Sequence, residues 1–354
     1  MNFRKVVKRC YKYGKKRDRE CRKALQFVWG QGTFKFRNAD IAIFHEFRPP
    51  PGGGGHQFLR SLWGEFERRG LRVENNIIAH TTRACLLNSY NFDWNQLRRW
   101  SRDHCRMIHR VDGPLTVYRG LDDGSDSQIQ QINEEFAGVT IFQSQYSLQK
   151  YRELGLHFKA PSVIRNAVDP QIFHPQGHIA FDRRRKIRLI STSWSDNPNK
   201  GAVTYKWLEE HLNWERFEYT FVGRSPIRFK HIRMIPPVVT GQIAALLRQH
   251  DIYITASRHE SCSNSLIEAL SCGLPVMYIE SGSNPEIVGE AGLGFSSQEE
   301  IPELLKRLVD DYEEYQVKIS VPTLFEVANR YLAIMGLGEA NTSSSWDNEE
   351  EQPC

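Results

Sequence analysis

Short apolar runs alternate with segments of helical periodicity along the body of this chain, and the alternation begins twice. The first series starts at Ile41–Phe44. After a stretch rich in Pro, Gly, Arg and Lys, Pro175–Lys186, a second series starts at Ile187–Thr192. Alternating strands and helices predict a parallel sheet covered by helices. At about 150 residues per domain, the chain is long enough for two domains. The sequence therefore predicts an α/β protein of two Rossmann-like, doubly wound domains, with ligands bound at the carboxyl ends of the strands.

The predicted elements are bounded by polar residues, Gly or Pro, and have lengths that are usual for strands and helices. In the first half we expect strands at Ile41–Phe44, Val73–Ala79, Arg106–Val111, Val139–Gln143 and Ser162–Ile164, and helices from Phe58 to Gly70, at Ser127–Glu135 and at Gln145–Leu154. In the second half we expect strands at Ile187–Thr192, Tyr219–Val222, Ile252–Ala256 and Val276–Ile279, and helices at Gly201–His211, Gly241–Gln249, Asn264–Ser271, Glu299–Asp311 and Pro322–Met335.

Positive charge is concentrated at the N-terminus. Residues 1–38 carry 13 Lys or Arg against two Asp or Glu, whereas the rest of the chain is net negative. Basic residues beside a thin apolar stripe suit an anionic membrane surface, and the stripe consists of Phe3, Val6, Val7 and Cys10. A solvated tail without a partner is the alternative, and nucleic acid, which would also attract this charge, is not the partner we expect. The polar, acidic segment 339–354 reads as a disordered tail.

Several classes of protein are excluded by composition. No stretch approaches the roughly 20 apolar residues that span a bilayer, and the N-terminus lacks the apolar core of a secretory signal. The seven cysteines are odd in number and none has C-x-x-C spacing, so neither a zinc site nor a disulfide framework is expected. We therefore predict a cytoplasmic protein, with peripheral membrane binding through residues 1–38.

The most informative segment is 257–275, which follows an apolar strand and enters a helix. Ser263-Asn264-Ser265 are residue types that begin helices, and a helix start offers free N–H groups and a positive dipole end to a diphosphate. Glu260 precedes this helix and Glu268 lies one turn inside it. Two carboxylates beside a phosphate site would accept hydrogen bonds from the hydroxyls of a ribose and a hexose. The alternative is a loop charge and a surface helix residue.

This segment resembles the Glu-x7-Glu segment of GT-B glycosyltransferases, in particular the retaining GT4 family, over roughly residues 40–335. The matching residues of the segment are Ala256-Ser257, Glu260, Glu268-Ala269-Leu270 and Cys272-Gly273-Leu274-Pro275-Val276. Gly282-Ser-Asn-Pro285-Glu286-Ile-Val288 is similar to the Gly-Gly-x-Pro-Glu-Ile-Val that follows in the family. Ser144, Ile164-Arg-Asn166-Ala-Val-Asp169 and Phe173-His-Pro175 are similar to the family's interdomain residues, with Ala167 in place of the usual Gly.

The resemblance implies a donor site in the second half. Glu260 would contact the hydroxyls of the donor sugar, Glu268 would contact the ribose, and the amides near Ser263–Ser265 would hold the diphosphate. Lys200 ends a loop similar to the family's Arg-x(4–5)-Lys-Gly, and it would be the cation on the diphosphate.

The family arginine of that loop is absent, because Trp194 and Ser195 stand at its place. Arg224 is a candidate substitute from a neighbouring strand end. Base recognition is expected near Gly223 and Ile235–Pro237.

Two features of the first half are also candidates. Gly52–Gly55 resembles the family's glycine loop, in which Gly53 and Gly54 would approach the donor phosphate or the acceptor, although a tetraglycine alone is typical of a flexible turn. At the end of a later strand, the family places a histidine near the reacting sugar. Asp112 stands at that position and His109 lies three residues upstream, so either could face the cleft. The alternatives are a buried strand histidine and a turn-forming aspartate.

The resemblance implies the activity of a retaining, hexosyltransferase-type enzyme. It would move a sugar from a nucleotide-diphosphate sugar to a hydroxyl of a glycan, lipid-linked or polysaccharide acceptor. No Asp-x-Asp occurs, so we expect chemistry without a metal or any other cofactor, in which Lys200 and the helix dipole neutralise the leaving phosphate. A GT-B nucleotide-sugar epimerase and a non-catalytic nucleotide-sugar-binding protein are the alternatives.

The predicted organisation has five segments. They are a basic extension (1–38), an acceptor domain (39–175), a donor domain (176–320), a helix that crosses back to the first domain (321–338) and the acidic tail (339–354).

Overall fold

A computed structural model describes residues 38–47, 54–90, 92–98 and 104–338. Residues 1–37, which form nearly all of the basic extension, and the acidic tail 339–354 lie outside the described residues, as does Gly53 in the glycine loop. Among the residues described, no helix is long and apolar enough to cross a membrane.

The strands form two parallel six-stranded sheets. The first sheet has the order β2-β1-β3-β4-β5-β6, with β1 at Ile41–Phe44, β2 at Val73–Asn75, β3 at Ala84–Asn88, β4 at Arg106–Val111, β5 at Val139–Phe142 and β6 at Pro161–Val163. The second has the order β12-β11-β10-β7-β8-β9, with β7 at Ile187–Ser193, β8 at Phe217–Gly223, β9 at Arg233–Ile235, β10 at Ile252–Thr255, β11 at Val276–Ile279 and β12 at Gly292–Phe295. The predicted fold class of two doubly wound α/β halves is confirmed.

Helices connect the strands on both sides of each sheet. Those of the first half are α1 at Gly54–Arg68, α2 at Trp94–Leu97, α3 at Leu115–Arg119, α4 at Ser125–Phe136 and α5 at Gln145–Glu153. Those of the second half are α6 at Ala202–His211, α7 at Thr240–Arg248, α8 at Asn264–Ser271, α9 at Asn284–Val288, α10 at Ile301–Asp310, α11 at Tyr312–Val317 and α12 at Leu324–Met335, with 3-10 turns at Pro198–Lys200 and Gln298–Glu300.

The order of each sheet determines where a ligand would bind. In the second sheet the strand order reverses between β7 and β10, as in a Rossmann domain, and in the first it reverses between β1 and β3. Crevices open at such reversals, beyond the carboxyl ends of the strands. The loops that follow β7 and β10 therefore hold the residues to examine first.

Three differences from the predicted elements have local causes. The strand predicted at Val73–Ala79 ends at Asn75, because Asn76 adopts a positive φ of 55° that interrupts extended backbone. The fully buried strand Ala84–Asn88 was not predicted, since a short apolar run alone does not distinguish a strand from a buried helix segment. The edge strand Gly292–Phe295 was also missed, because glycines occupy two of its four positions.

The last helix belongs to the core of the first half. α12 begins with a capping box between Thr323 and Glu326. Its buried residues join the core that includes β1 and α1, and the rings of Tyr331 and Phe58 are 6.1 Å apart between centroids. The end of the chain therefore packs on the first sheet.

Candidate active site

The loops after β7 and β10 touch each other at the reversal of the second sheet. Gly201 follows the 3-10 turn with a positive φ of 78°, and a side chain there would clash with Ala256 at the end of β10. The amide of Arg258 donates to the carbonyl of Asn199 over 2.7 Å. Glycine is required where backbone adopts this conformation and approaches a neighbour so closely. The contact brings Lys200 to the loop that contains Glu260.

Lys200 and Glu260 form an ion pair. The lysine Nζ lies 2.5 Å from the Oε1 of Glu260, and the two side chains are 23% and 16% exposed. Burial by itself lowers the pKa of Lys200, but the charge of Glu260 outweighs it and holds the pKa above its ordinary value. The site therefore contains a permanent cation whose counter-ion sits beside it.

The loop that contains Glu260 packs against the loop after β11 and is hydrogen-bonded to it. Gly282 has a φ of 66°, and a side chain there would lie 2.6 Å from the backbone nitrogen of Glu260. The amide of Ser283 donates to the carbonyl of Glu260 over 2.9 Å, and the amide of His259 donates to Ser281 Oγ over 3.1 Å. His259 itself has a φ of 58°, a strained value for a residue with a side chain. These contacts fix the backbone on both sides of the carboxylate.

The start of α8 lies immediately after this loop. Ser263 precedes the helix, but its Oγ bonds to Ser265 Oγ at 3.0 Å and does not cap the helix amides. The first amides of a helix have no partner within it and carry its positive dipole end. Asn264 points toward the first half, where its Oδ1 accepts a 3.0 Å bond from Asn166 and where a side chain at Gly54 would clash with it.

Glu268 lies one turn into α8 and faces a small cavity between the two halves. The remaining lining residues come from α1, the connection between the halves and α8: Gly54, Gln57, Phe58, Ser61, Ala167, Val168 and Asn264. Glu268 is only 7% exposed, and burial raises its pKa to about 8. Within the described part of the chain, its carboxyl group forms no ion pair and no hydrogen bond to another side chain, so it is available to a ligand's hydroxyl groups.

The structure distinguishes the two candidates on β4. His109 is fully buried, its Nε2 bonds to the Ser89 carbonyl over 2.9 Å, and its Nδ1 accepts from Asn133 over 3.1 Å. Burial lowers its pKa to about 4, so the ring is neutral at physiological pH. The candidate role of His109 in the cleft is therefore not supported by its position. Asp112 is 34% exposed, and the next residue, Gly113, packs against Ser261 of the opposite half.

Two further candidates lie at the end of β8. Gly223 has a φ of 124°, and a side chain there would clash with the carbonyl of Ser193 at the end of β7. The amide of Arg224 donates to the same carbonyl over 2.8 Å, while its side chain is exposed. Both residues therefore lie at the carboxyl-terminal edge of the strands in the second sheet. Gly54, the first residue of α1, lies instead against Asn264 at the start of α8.

Tyr118 was not identified from the sequence. Its carbonyl accepts a 2.5 Å bond from the side chain of Asn199, and its ring centroid is 5.9 Å from the Nζ of Lys200. Burial raises the pKa of its hydroxyl. No motif signals this residue, because its contact depends on how the two halves meet.

The two halves are also joined near the start of α5. Glu286 accepts from the amide of Gln145 over 3.0 Å and from the amide of Tyr146 over 3.3 Å. Ser144, which caps α5, donates to the carbonyl of Ser261 over 2.5 Å. The candidate site is therefore built from both halves. No cluster of three or more His, Cys, Asp or Glu suited to a metal ion occurs among the described residues.

Comparison with known proteins decides the family of the second half. Residues 208–311 match the family model named "Glycosyl transferases group 1". The chain contains a group 1 glycosyltransferase domain. This match includes Gly223, Arg224, Glu260, the start of α8 and Glu268, and the resemblance to group 1 glycosyltransferases is confirmed for this part of the chain.

The similarity to curated proteins extends beyond residues 208–311. The D-inositol 3-phosphate glycosyltransferase of Corynebacterium glutamicum is 28% identical over 286 residues, which cover 72% of this chain and 61% of that protein. The GPI3 subunit of the phosphatidylinositol N-acetylglucosaminyltransferase of Saccharomyces cerevisiae is 27% identical over 165 residues, covering 41% and 36% respectively. The matches thus span about a third to three fifths of these relatives.

Solved structures show that the chain has the GT-B fold. Sucrose-phosphate synthase from Thermosynechococcus elongatus superposes with a TM-score of 0.63 at 14% identity, covering 84% of this chain and 96% of the other. HepE from Anabaena, solved in complex with UDP and glucose, superposes with a TM-score of 0.59 at 14% identity, covering 84% and 97%.

Proposed function

We propose that the protein is a retaining, hexosyltransferase-type glycosyltransferase that moves a sugar from a nucleotide-diphosphate sugar to an acceptor hydroxyl. The observation that carries the proposal is the pairing of Lys200 with Glu260 beside the open start of α8. A cation and helix amides suit a diphosphate, and a carboxylate beside them suits sugar hydroxyls.

Transfer would follow from how charge develops at this site. As the sugar–phosphate bond breaks, negative charge would accumulate on the diphosphate, and Lys200 and the α8 amides would stabilise it. Glu260 would hold the donor sugar's hydroxyls and Glu268 the ribose. The acceptor hydroxyl would attack from the face that the diphosphate leaves, and the diphosphate would take its proton. In this proposal Lys200 and α8 supply the positive charge, so the reaction needs no metal and no other cofactor.

We propose a UDP-sugar as the first donor to test, because HepE was solved with UDP and glucose. The base would lie near Gly223 and Ile235–Pro237, beside the exposed Arg224 as a second cation. For the acceptor, we propose a glycan, a polysaccharide or a lipid-linked alcohol on the side of Asp112. The names of the two relatives make phosphatidylinositol and D-inositol 3-phosphate the first acceptors to try.

Location and organisation are part of the same proposal. We propose that 39–175 binds the acceptor, that 176–320 binds the donor and that 321–338 braces the two. The protein would act in the cytoplasm, and residues 1–38 would bring it to an anionic membrane. Removing residues 1–38 should abolish sedimentation with vesicles containing phosphatidylserine, and unchanged sedimentation would contradict this part.

The proposed function is tested by a two-step experiment. Nucleoside diphosphates and their sugars are first screened for a rise in melting temperature of the full chain, and the best donor is then incubated with a panel of acceptors. Transfer with the donor's anomeric configuration retained, read by NMR of the product, is the expected result. Interconversion of nucleotide sugars without acceptor would indicate an epimerase. Binding without any turnover would indicate a non-catalytic protein.

A further inference from the structure

A charged side chain lies fully buried in the first half, next to the proposed site. Arg110 is 0% exposed near the end of β4, and its guanidinium sits 4.9 Å above the ring centroid of Phe58. Its NH1 donates to Asn88 over 2.7 Å and to Asp112 over 3.2 Å. A buried charge is costly unless it is paired, and the described part of the chain offers only Asp112 as an anionic partner. Such a residue calls for an explanation beyond stability.

Arg110 belongs to a closed ring of four side chains. It donates to Asp112 through NH1 and to Asn166 through NH2, the latter over 2.9 Å. Asn166 donates in turn to the Oε1 of Gln143 over 2.9 Å, and the Nε2 of Gln143 donates to the same oxygen of Asp112. The two NH groups of Arg110 carry its hydrogen bonds in the ring, whereas its buried Nε has no hydrogen-bond partner among the described residues. The arrangement holds one carboxylate oxygen of Asp112 with two donors.

The ring also determines which way Asn166 faces. An amide side chain can turn over, exchanging its donor and its acceptor. Because Arg110 can only donate, the oxygen of Asn166 must face it, which leaves the amide nitrogen to donate to Asn264 over 3.0 Å. Asn264 is the first residue of α8. A buried arginine of one half thereby controls a hydrogen bond to the proposed diphosphate helix of the other half.

We propose that Arg110 is a positioning residue of the transfer site, which holds Asp112 in the cleft and orients Asn166 toward the start of α8. The inference rests on the proposed function and deepens it. Arg110 does not contact the substrate; it acts through the carboxylate on the acceptor side and through the helix on the donor side. Neither the family match nor the relatives assign it a role, and the matched residues 208–311 do not include it.

Hydrogen exchange of the full chain tests the link between the halves without any substrate. We expect the amides of 263–267 to exchange at least about tenfold faster in Arg110→Met, because α8 loses its bond to a correctly oriented Asn166. Arg188→Met is the matched control: this arginine also pairs with a buried aspartate, Asp251, but at the opposite end of the second sheet. Unchanged exchange at 263–267 in a folded Arg110→Met would overturn the proposal.

If Arg110→Met does not fold, Asn166→Ala serves as the second variant, because it breaks the same ring of hydrogen bonds without removing a buried charge. We expect the same faster exchange at 263–267. If Asn166→Ala leaves that exchange unchanged, the proposed link is equally overturned. Arg110→Lys keeps the charge, but a lysine cannot donate to two partners at once as the forked guanidinium does. The exchange rate of the amides of 263–267 in Arg110→Lys should therefore lie between the rates in wild type and Arg110→Met.

Kinetics test the link to Asp112, with the donor and acceptor that the screen identifies. Arg110→Met and Asp112→Asn should each lower kcat by about tenfold or more. The donor's KM should change little in Asp112→Asn, which leaves Lys200, Glu260 and the start of α8 untouched. The double variant should be no slower than the slower single variant, since Arg110→Met already removes the support of the Asp112 carboxylate. Multiplied losses would overturn this link. If wild type turns over no nucleotide sugar, the proposed function fails, while the exchange result still decides the positioning role.

Discussion

At the scale of single residues, the site pairs two charged groups, each of which would be unfavourable in a partly buried position without the other. Lys200 is stabilised as a cation by Glu260, and the pair leaves the site close to neutral before a ligand enters. In the proposed reaction, a diphosphate would bring negative charge that Lys200 and the α8 amides share, while Glu260 would accept from hydroxyl groups of the sugar. Glu268, in contrast, has no neighbouring cation in the described structure, and its environment is dominated by burial. The two glutamates of one motif therefore have different electrostatic roles.

The burial of Glu268 makes the stability of the protein depend on pH. The folded state keeps this proton up to a pH of about 8, whereas an unfolded chain releases it near the ordinary glutamate pKa of about 4.3. Between those values the folded state binds more protons, so the free energy of unfolding falls as pH rises, by up to about 1.4 kcal/mol per pH unit. Glu268→Gln should therefore gain stability over wild type between pH 5 and pH 9.

Urea unfolding at the two pH values measures this gain. Glu210→Gln, at an exposed residue of α6, is the control and should follow the wild-type pH dependence. An equal pH dependence of wild type and Glu268→Gln would show that the carboxyl group ionises normally in the folded protein.

From the sequence, a contact between distant residues could be predicted only where both residues belong to motifs of a known family. Lys200 and Glu260 are sixty residues apart, and only the resemblance to a family suggested that they meet. Asp112 and His109 could not be separated, because strand periodicity does not say which residue at a strand's end reaches solvent. Tyr118 was missed, since its contact with Lys200 requires the relative placement of two domains.

At the scale of elements, apolar patterning was sufficient for strands such as Ile41–Phe44 and Val276–Ile279, which were predicted with the bounds that the structure has. The bounds of Arg106–Val111 were also predicted correctly, although this strand contains His109 and Arg110. The helix Asn264–Ser271 was predicted equally well from its N-cap types and the glycine that follows it. Short helices such as Leu115–Arg119 were not, since one turn of helix leaves no periodicity to detect.

The start of β10 depends on a buried ionic cluster at the end of the sheet opposite the site. Asp251 is fully buried and accepts two 2.7 Å bonds from Arg185 and further bonds from Arg188. Burial raises the pKa of Asp251, but the two arginines lower it more, so its net pKa lies below the ordinary value. Asp251→Asn should lower the free energy of unfolding by about 3 kcal/mol, because the arginines lose their buried counter-ion.

Denaturant unfolding at neutral pH measures this loss. In wild type, the stabilisation that charged Asp251 provides is present above the ordinary aspartate pKa and is lost as the pH falls through the lowered pKa of Asp251. The difference in free energy of unfolding between the two proteins should therefore narrow in acid. Asp310→Asn, which breaks an exposed pair with Lys306, should leave stability almost unchanged. Equal stability of Asp251→Asn and wild type would show that the cluster is not needed to hold β10.

At the scale of the whole molecule, the site exists only where the two halves are closed on each other. Glu286 caps the start of α5 across the cleft, and it also lies 3.4 Å from Arg165 in the connection between the halves. A carboxylate at a helix start is a favourable contact that opening would break. Glu286→Ala should therefore shift the protein toward an open arrangement with a larger radius of gyration.

Small-angle X-ray scattering of the free protein measures the arrangement. Glu290→Ala, at an exposed residue four positions further along the chain, is the matched control and should scatter like wild type. The same radius of gyration in Glu286→Ala and wild type would mean that the other contacts between the halves suffice for closure.

The central claim is that Lys200, Glu260 and the start of α8 form the reaction site for a nucleotide-diphosphate sugar. Its most direct test is the initial rate of nucleoside diphosphate release, with saturating donor and acceptor, in Lys200→Ala and Glu260→Ala. Lys206→Ala and Glu210→Ala, which break an exposed ion pair of α6 in the same half, are the controls. We predict a loss of at least about a hundredfold in the two site variants, with melting temperatures close to wild type, and wild-type rates in the controls. Wild-type rates in both folded site variants would contradict the account.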